Sequence, residues 1–164
     1  MRGTIMAPNL MLDRLLPPLI DNSYGGPKPA LWLLGFLAAI KAVMSLNSIF
    51  NGYAVLTSAD GVPLPSYPAE AAQTIVTVFA LWAVGQLLFA LLAILALVRY
   101  RSMTSLLFGL FLIEHLGRKV VLQFLPITRS GAAPASVINL VLLAVMAGGL
   151  LLSLRRPVDA AHAT

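Results

Sequence analysis

Four ionisable side chains interrupt a stretch that is otherwise apolar enough to cross a membrane. Residues 103–125 read MTSLLFGLFLIEHLGRKVVLQFL, and Glu114, His115, Arg118 and Lys119 lie in the second half of this stretch. A charged side chain at the centre of a bilayer costs roughly 2.5–3.5 kcal/mol on insertion scales. Such a segment needs polar partners, water or a functional reason, so these four residues are the first candidates for chemistry.

Glu114 and His115 are the candidates for catalysis, because carboxylates and imidazoles are common proton carriers in enzymes. Adjacent residues on a helix diverge by about 100°, which weakens the idea that they act on one proton together. His115 could ligate haem, which needs only one axial histidine. No HxxxH spacing and no cysteine is present, so a zinc or di-iron site is not predicted.

Composition places these residues in a membrane protein. Charged residues make up 10% of the chain and hydrophobic residues 59%, against roughly 25% and 45–50% in soluble domains. The net charge of +5 forms no basic patch for nucleic acid, since Arg99, Arg101, Arg155 and Arg156 flank apolar segments. In that position they are topology signals, and nucleic-acid binding is not expected.

The fold class predicted from hydropathy is an all-α integral membrane protein with a bundle of four transmembrane helices. The bundle covers residues 30–154, with spans at about 30–50, 69–98, 103–125 and 135–154. The turn at 99–102 is very short, so the second and third helices must be antiparallel neighbours. A fourth span that is almost wholly apolar contains Ala144 and Gly148, whose spacing is typical of close helix contact.

The segments outside the spans carry weaker signals. Residues 1–29 are predicted to form an interfacial amphipathic helix and a linker, because Leu12, Leu15, Leu16 and Leu19 follow helical spacing. The loop at 52–68 contains three prolines, and it could be a lid or, as we expect, a plain connector. Residues 155–164 are predicted to be a cytoplasmic tail.

Orientation follows from the distribution of basic residues. Lys and Arg outside the spans fall almost entirely in the N-terminal segment, the 99–102 turn and the C-terminal tail, and Arg129 alone lies on the other side. Because basic loops stay in the cytoplasm, both termini are predicted to be cytoplasmic. The expected location is a bacterial cytoplasmic (inner) membrane.

Polar residues from four predicted helices fall near one depth. Counting 1.5 Å per residue from the cytoplasmic ends puts Lys41 roughly 16 Å deep, Glu114 and Gln86 roughly 18 Å deep, and Asn139 roughly 22 Å deep. We therefore predict a mid-bilayer network in which Lys41 meets Glu114 and Lys119 reaches outward. The residues assigned to this network are Lys41, Asn47, Gln86, Glu114, His115, Arg118, Lys119 and Asn139.

The network admits a structural and a functional interpretation. It could hold the helices in register, or it could be a site for a ligand or a proton, with an anionic group balancing the excess of cations. Three functional hypotheses follow. The first is an accessory or assembly subunit, or a binder of lipid or another hydrophobic ligand. The second is a small intramembrane enzyme, such as an isomerase. The third is an oligomeric transporter or channel. Expected partners are membrane lipids, further copies of the chain, or a larger membrane complex.

Overall fold

The computed structural model describes residues 10–130 and 134–155, and this part of the chain contains helices and no strand. The predicted all-helical class is therefore confirmed for these residues. Residues 1–9 and nearly all of the predicted tail lie outside them. The helices are α1 (Leu10–Leu15), α2 (Lys28–Phe50), α3 (Gly52–Ala54), α4 (Ala69–Arg99), α5 (Thr104–Phe124) and α6 (Ala135–Ser153).

Three of the described helices, α2, α4 and α6, are long and apolar enough to cross a membrane. In length and apolar composition these three helices resemble the spans of integral membrane proteins. α5 has 21 residues, a comparable length, but it carries Glu114, Arg118 and Lys119 within its second half. These charges distinguish α5 from the other three long helices.

Small side chains bring α2 and α4 together, and this is the most extensive helix pairing in the described chain. On α4, every buried residue is an alanine: Ala72, Ala83, Ala90, Ala93 and Ala96. On α2, Ala38 is buried, and Gly35 lies close to Leu97. Alanine and glycine let helix backbones approach closely, which gives strong van der Waals contact where lipid supplies no hydrophobic driving force.

A phenylalanine fills the contact between α5 and α6. Phe108 is fully buried, and its ring lies so close to Gly149 that a Cβ atom there would overlap it. Gly148, one residue earlier, has open space where its Cβ would be. The face formed by Ala144 and Gly148, which was predicted to pack against another helix, is exposed. On α6 it is Gly149 that permits the close contact with α5.

The loop after α2 is compact. After α3 it forms a π-helical turn at Val55–Ala59 and a 3₁₀ turn at Leu64–Ser66. Leu56, Val62 and Leu64 are buried with Ala72 of α4 in a small apolar cluster. The loop therefore has a small apolar core of its own.

The two ends of α5 are tied to different parts of the chain. The turn at Arg101–Met103 joins its first residue to α4. Beyond its last turn, the Ser130 backbone N–H donates to the Gly61 carbonyl oxygen at 2.8 Å. Gly61 has a φ of 70°, a conformation that glycine adopts without strain. α5 thus runs from the turn at Arg101–Met103 to the loop between α2 and α4.

The N-terminal segment (residues 10–27) lies near the turn between α4 and α5 and near the C-terminal end of α6. Arg14 Nη1 donates to the Leu154 carbonyl oxygen at 2.7 Å, which satisfies an unpaired carbonyl at the end of α6. The Asp21 backbone N–H donates to Ser102 Oγ at 3.0 Å. Leu15 packs beside Gly109, while Leu12, Leu16 and Leu19 remain exposed.

Candidate functional site

A buried lysine and a glutamate from different helices form the centre of the site. Lys41 of α2 has a side chain only 6% exposed, and its Nζ lies 3.1 Å from Oε2 of Glu114 on α5. The Glu114 side chain is 21% exposed. A buried ammonium group is strongly unfavourable without a partner, so this ion pair accounts for the burial of Lys41.

Gln86 of α4 bridges the two charged groups. Lys41 Nζ donates to Gln86 Oε1 at 3.1 Å, and Gln86 Nε2 donates to Glu114 Oε1 at 3.1 Å. The amide oxygen faces the cation and the amide nitrogen faces the carboxylate, which is the orientation that satisfies both neighbours. The network thereby joins α2, α4 and α5 at one level.

Arg118 adds a second cation one turn further along α5. Its Nε lies 2.6 Å from Glu114 Oε1, but the N–H bond is not aligned with that oxygen, so the contact is an ion pair and not a hydrogen bond. The guanidinium also lies over the ring of Trp82 on α4, 5.2 Å from its centroid. Two cations thus share one carboxylate, which leaves one positive charge unbalanced among these residues.

His115 faces the interior and takes part through Arg118. Arg118 Nη2 lies 3.3 Å from His115 Nδ1. Because a guanidinium can only donate, Nδ1 must accept, and the proton of a neutral ring is then on Nε2. His115 is 2% exposed, and Nε2 has no hydrogen-bond partner among the described residues. This tautomer does not suit haem ligation through Nε2, and the described residues contain no group of three His, Cys, Asp or Glu that could hold a metal ion.

A cavity of about 540 Å³ opens beside this network. Its volume lies within the roughly 300–1,000 Å³ of small-molecule pockets in proteins. Lys41, Gln86 and Arg118 line it at the network, and the turn at Val55–Ala59 contributes to its wall at the other end. The remaining polar lining is supplied by Ser45, Asn47, Ser48, Asn51, Ser58, Asp60 and Asn139.

Part of this lining escaped prediction. Lys41, Ser45 and Ser48 are buried on α2 at positions i, i+4 and i+7, which is the spacing of one helix face. The signal was available in the sequence, but serines are weak markers because a serine hydroxyl can bond to its own helix. Ser45 Oγ does so, donating to the Lys41 carbonyl oxygen at 2.7 Å.

The predicted site residues occupy three kinds of position. Five of them line the cavity: Lys41, Asn47, Gln86, Arg118 and Asn139. Glu114 and His115 do not line the cavity. Glu114 is hydrogen-bonded to Lys41 and His115 to Arg118, and both of these partners line it. Lys119 is exposed and is likewise absent from the lining. The structure therefore groups seven of the eight residues and sets Lys119 apart.

Asp60 is the carboxylate on the loop side of the cavity. Burial raises the pKa of the Asp60 carboxyl above its ordinary value, and the positive charges of Arg129 and Arg118 oppose that change. Burial is the larger effect because it removes water from the charged form. The loop wall thus becomes neutral at a higher pH than an exposed aspartate would.

Similarity to known proteins adds no information on this site. No protein-family model, curated protein or solved structure matches the chain.

Proposed function

We propose that this is an integral membrane protein with four transmembrane helices and that it binds an amphiphilic, lipid-like ligand through an anionic head group. The observation that carries the proposal is the unbalanced positive charge beside an open cavity. Lys41 and Arg118 both line the cavity, and among the described residues Glu114 is the one carboxylate with which either of them forms an ion pair. Asp60 lies on the loop wall and is not paired with them. An anionic head group in the cavity would supply the missing negative charge.

The four-helix arrangement is supported by the two ends of α5. One end follows the turn at Arg101–Met103 beside the basic residue Arg99. The other end leads to Ser130, which is bonded to the loop between α2 and α4. With α5 as a fourth span, all basic clusters fall on one side, as the positive-inside rule requires for cytoplasmic termini. The N-terminal segment would then lie at the cytoplasmic surface.

The geometry favours binding over acid–base chemistry. Both oxygens of Glu114 are engaged, one by Lys41 and the other by Gln86 and Arg118. A general base needs to reach the proton that it removes, directly or through one water. Neither Glu114 nor His115 lines the cavity, so a ligand there would meet Lys41, Gln86 and Arg118 first.

A purely structural network also explains less of the arrangement. Buried ion pairs that only fix helix register are best enclosed by close packing, since an interior void forfeits contacts. Here Lys41 and Arg118 border a cavity, and hydroxyl and amide groups from α2 and α6 extend the polar surface away from the ion pair. This extended polar surface is the feature expected of a ligand site.

Native mass spectrometry of the protein released gently from its own membrane tests the proposal. We expect an adduct of discrete mass whose fragments include an anionic head group. The Arg118→Gln variant should reduce its occupancy at least tenfold at limiting ligand, because hydrogen bonds to charged groups contribute about 1.5–3 kcal/mol. Lys41 would remain paired with Glu114 in this variant, so folding should be preserved.

Lys119→Gln is the matched control, since it removes the same charge from the next residue but from outside the cavity lining. Its adduct should equal that of the wild-type protein. A wild-type protein without any adduct, or equal loss in both variants, would refute the proposed binding function.

A further inference from the structure

The cavity has two chemically different walls. On the loop side the polar residues Asn51, Ser58 and Asp60 line it together with the smaller apolar residues Ala54, Val55 and Ala59. On the side of the long helices, the apolar lining comes from Phe79 and Trp82 of α4, and from Ile138 and Leu142 of α6. A hydrocarbon chain gains most by lying along the large apolar side chains of α4 and α6, away from the Asp60 carboxylate, so its favourable exit is on that side.

Trp82 lies where that apolar wall meets the outside of the bundle. Its side chain lines the cavity, yet it is 40% exposed. α4 packs mainly on α2, whereas α5 packs mainly on α6, so the boundary between α4 and α5 is lightly packed. The Trp82–Arg118 stack crosses this boundary. The Gln86–Glu114 hydrogen bond crosses it one helical turn nearer to the turn at Arg101–Met103. The stack is the outer of these two connections.

From this placement, and resting on the proposed binding function, we infer that Trp82 and Arg118 form a lateral portal for a single-chain amphiphile with a monoanionic head. The head would lie between Lys41 and Arg118, and the chain would leave the cavity past Trp82 into the bilayer. One negative charge is specified because Lys41 and Arg118 share the single carboxylate of Glu114. Asp60 lies on the loop wall of the cavity and forms no ion pair with either cation among the described residues.

Binding of the anionic head group would separate the Trp82–Arg118 stack and so open the portal. Arg118 is paired with Glu114 and also lies over the Trp82 ring in a cation–π interaction. The cation–π interaction is weaker than a direct ion pair with a desolvated anion. An anionic head group would draw the guanidinium away from the ring and free the indole. Trp82 would then contact the first methylene groups of the ligand chain.

Tryptophan fluorescence tests this inference directly, because the chain contains two tryptophans. Trp32, which is 80% exposed and does not line the cavity, is the internal comparison for Trp82. Trp32→Phe and Trp82→Phe each leave one reporter. The probes are a twelve-carbon alkyl sulfonate and a twelve-carbon alcohol, both brominated near the head, and a phospholipid brominated at the same chain depth, all added to protein in vesicles of unbrominated lipid.

We expect the sulfonate to quench Trp82 by half or more with saturation near one ligand per protein. Arg118→Gln should weaken the apparent affinity at least tenfold, and Lys119→Gln should change it less than twofold. Trp32 should show only weak quenching that rises linearly with probe, as partitioning into the bilayer predicts. The alcohol and the brominated phospholipid should give the same linear response at Trp82.

Other outcomes separate the inference from the function on which it rests. If the sulfonate binds by native mass spectrometry but does not quench Trp82 saturably, the portal is wrong and the binding site stands. Saturable quenching by the alcohol or the phospholipid would overturn the monoanionic, single-chain class. If the native protein carries no adduct and the sulfonate neither binds nor quenches saturably, the proposed function itself fails together with the inference.

Discussion

At the scale of single residues, Lys41 depends on partners from two other helices. Its ammonium group contacts Glu114 and Gln86, and it also lies 5.1 Å from the centroid of the Phe111 ring. Removing one member of a buried ion pair leaves the other charge uncompensated, whereas removing both can be nearly neutral. The pair can therefore be tested by single and double substitution.

We expect Glu114→Gln to reduce the free energy of unfolding by about 1–3 kcal/mol, because Lys41 loses its anion and stays buried. Thermal unfolding in detergent, followed by circular dichroism, measures the change. The double variant Lys41→Met with Glu114→Gln should recover most of the loss. A double variant as unstable as Glu114→Gln would show that Lys41 does not need Glu114 for its burial.

Asp60 predicts a pH dependence of ligand binding. Since burial raises the pKa of this carboxyl, Asp60 is protonated at a higher pH than an exposed aspartate, and the cavity loses a negative charge as pH falls. Affinity for an alkyl sulfonate, whose own charge is constant, should therefore rise as pH is lowered from 7 through the raised pKa of Asp60. Titration calorimetry at several pH values would measure this rise.

In Asp60→Asn the affinity should be high at neutral pH and should change much less over the same range. Glu70→Gln, at the exposed start of α4, is the matched control and should retain the wild-type pH profile. An Asp60→Asn protein with an unchanged profile would mean that another group controls the pH response.

At the scale of the helices, two adjacent glycines in α6 have opposite surroundings. Gly149 contacts the buried ring of Phe108, and Gly148 faces open space. The α5–α6 contact should therefore tolerate an added methyl group at one position and reject it at the other. The two alanine variants share the same gain in helix propensity, so their difference isolates packing.

We expect Gly149→Ala to lower the free energy of unfolding by about 1–3 kcal/mol through overpacking. Gly148→Ala should be neutral or slightly stabilising. Thermal unfolding of the two proteins side by side is the measurement, and Phe108→Leu combined with Gly149→Ala should recover stability by removing the ring. Equal melting temperatures for the two alanine variants would contradict the close contact between Phe108 and Gly149.

At the scale of the whole molecule, the proposed topology makes α5 a true membrane span. The chain has no cysteine, so single cysteines can report which side of the membrane each loop occupies. Ser66→Cys and Ser130→Cys should react with a membrane-impermeant maleimide in intact cells. Thr164→Cys should react only after the membrane is permeabilised. Labelling of Ser130→Cys only after permeabilisation would refute α5 as a span.

The positions of the long helices could be read from the sequence because hydropathy is a local property. An apolar run of about 20 residues has to satisfy its backbone polar groups within itself, and in lipid a helix is the simplest structure that does so. The same reasoning placed Lys41, Gln86 and Glu114 near one depth, since depth along a helix is a count of residues. Their hydrogen-bonded contact in the structure agrees with that count.

What the sequence could not specify is which faces of the helices meet. The stacking of Trp82 on Arg118, for example, depends on the relative rotation of α4 and α5. Gly149 became important only because Phe108 points at it from another helix. Rotation and pairing are set by side-chain contacts between distant segments, which leave little trace in local periodicity when nearly every residue is apolar.

By itself, the sequence determined the all-helical class and the membrane-type helices, since both follow from composition along each segment. It also predicted that cations outnumber the one acidic residue, Glu114, among the polar groups placed near one depth. Only the tertiary structure decided that five of the predicted polar residues border one cavity while Lys119 does not. A cavity is a space between helices, so its existence depends on how the helices are packed and not on any one of them.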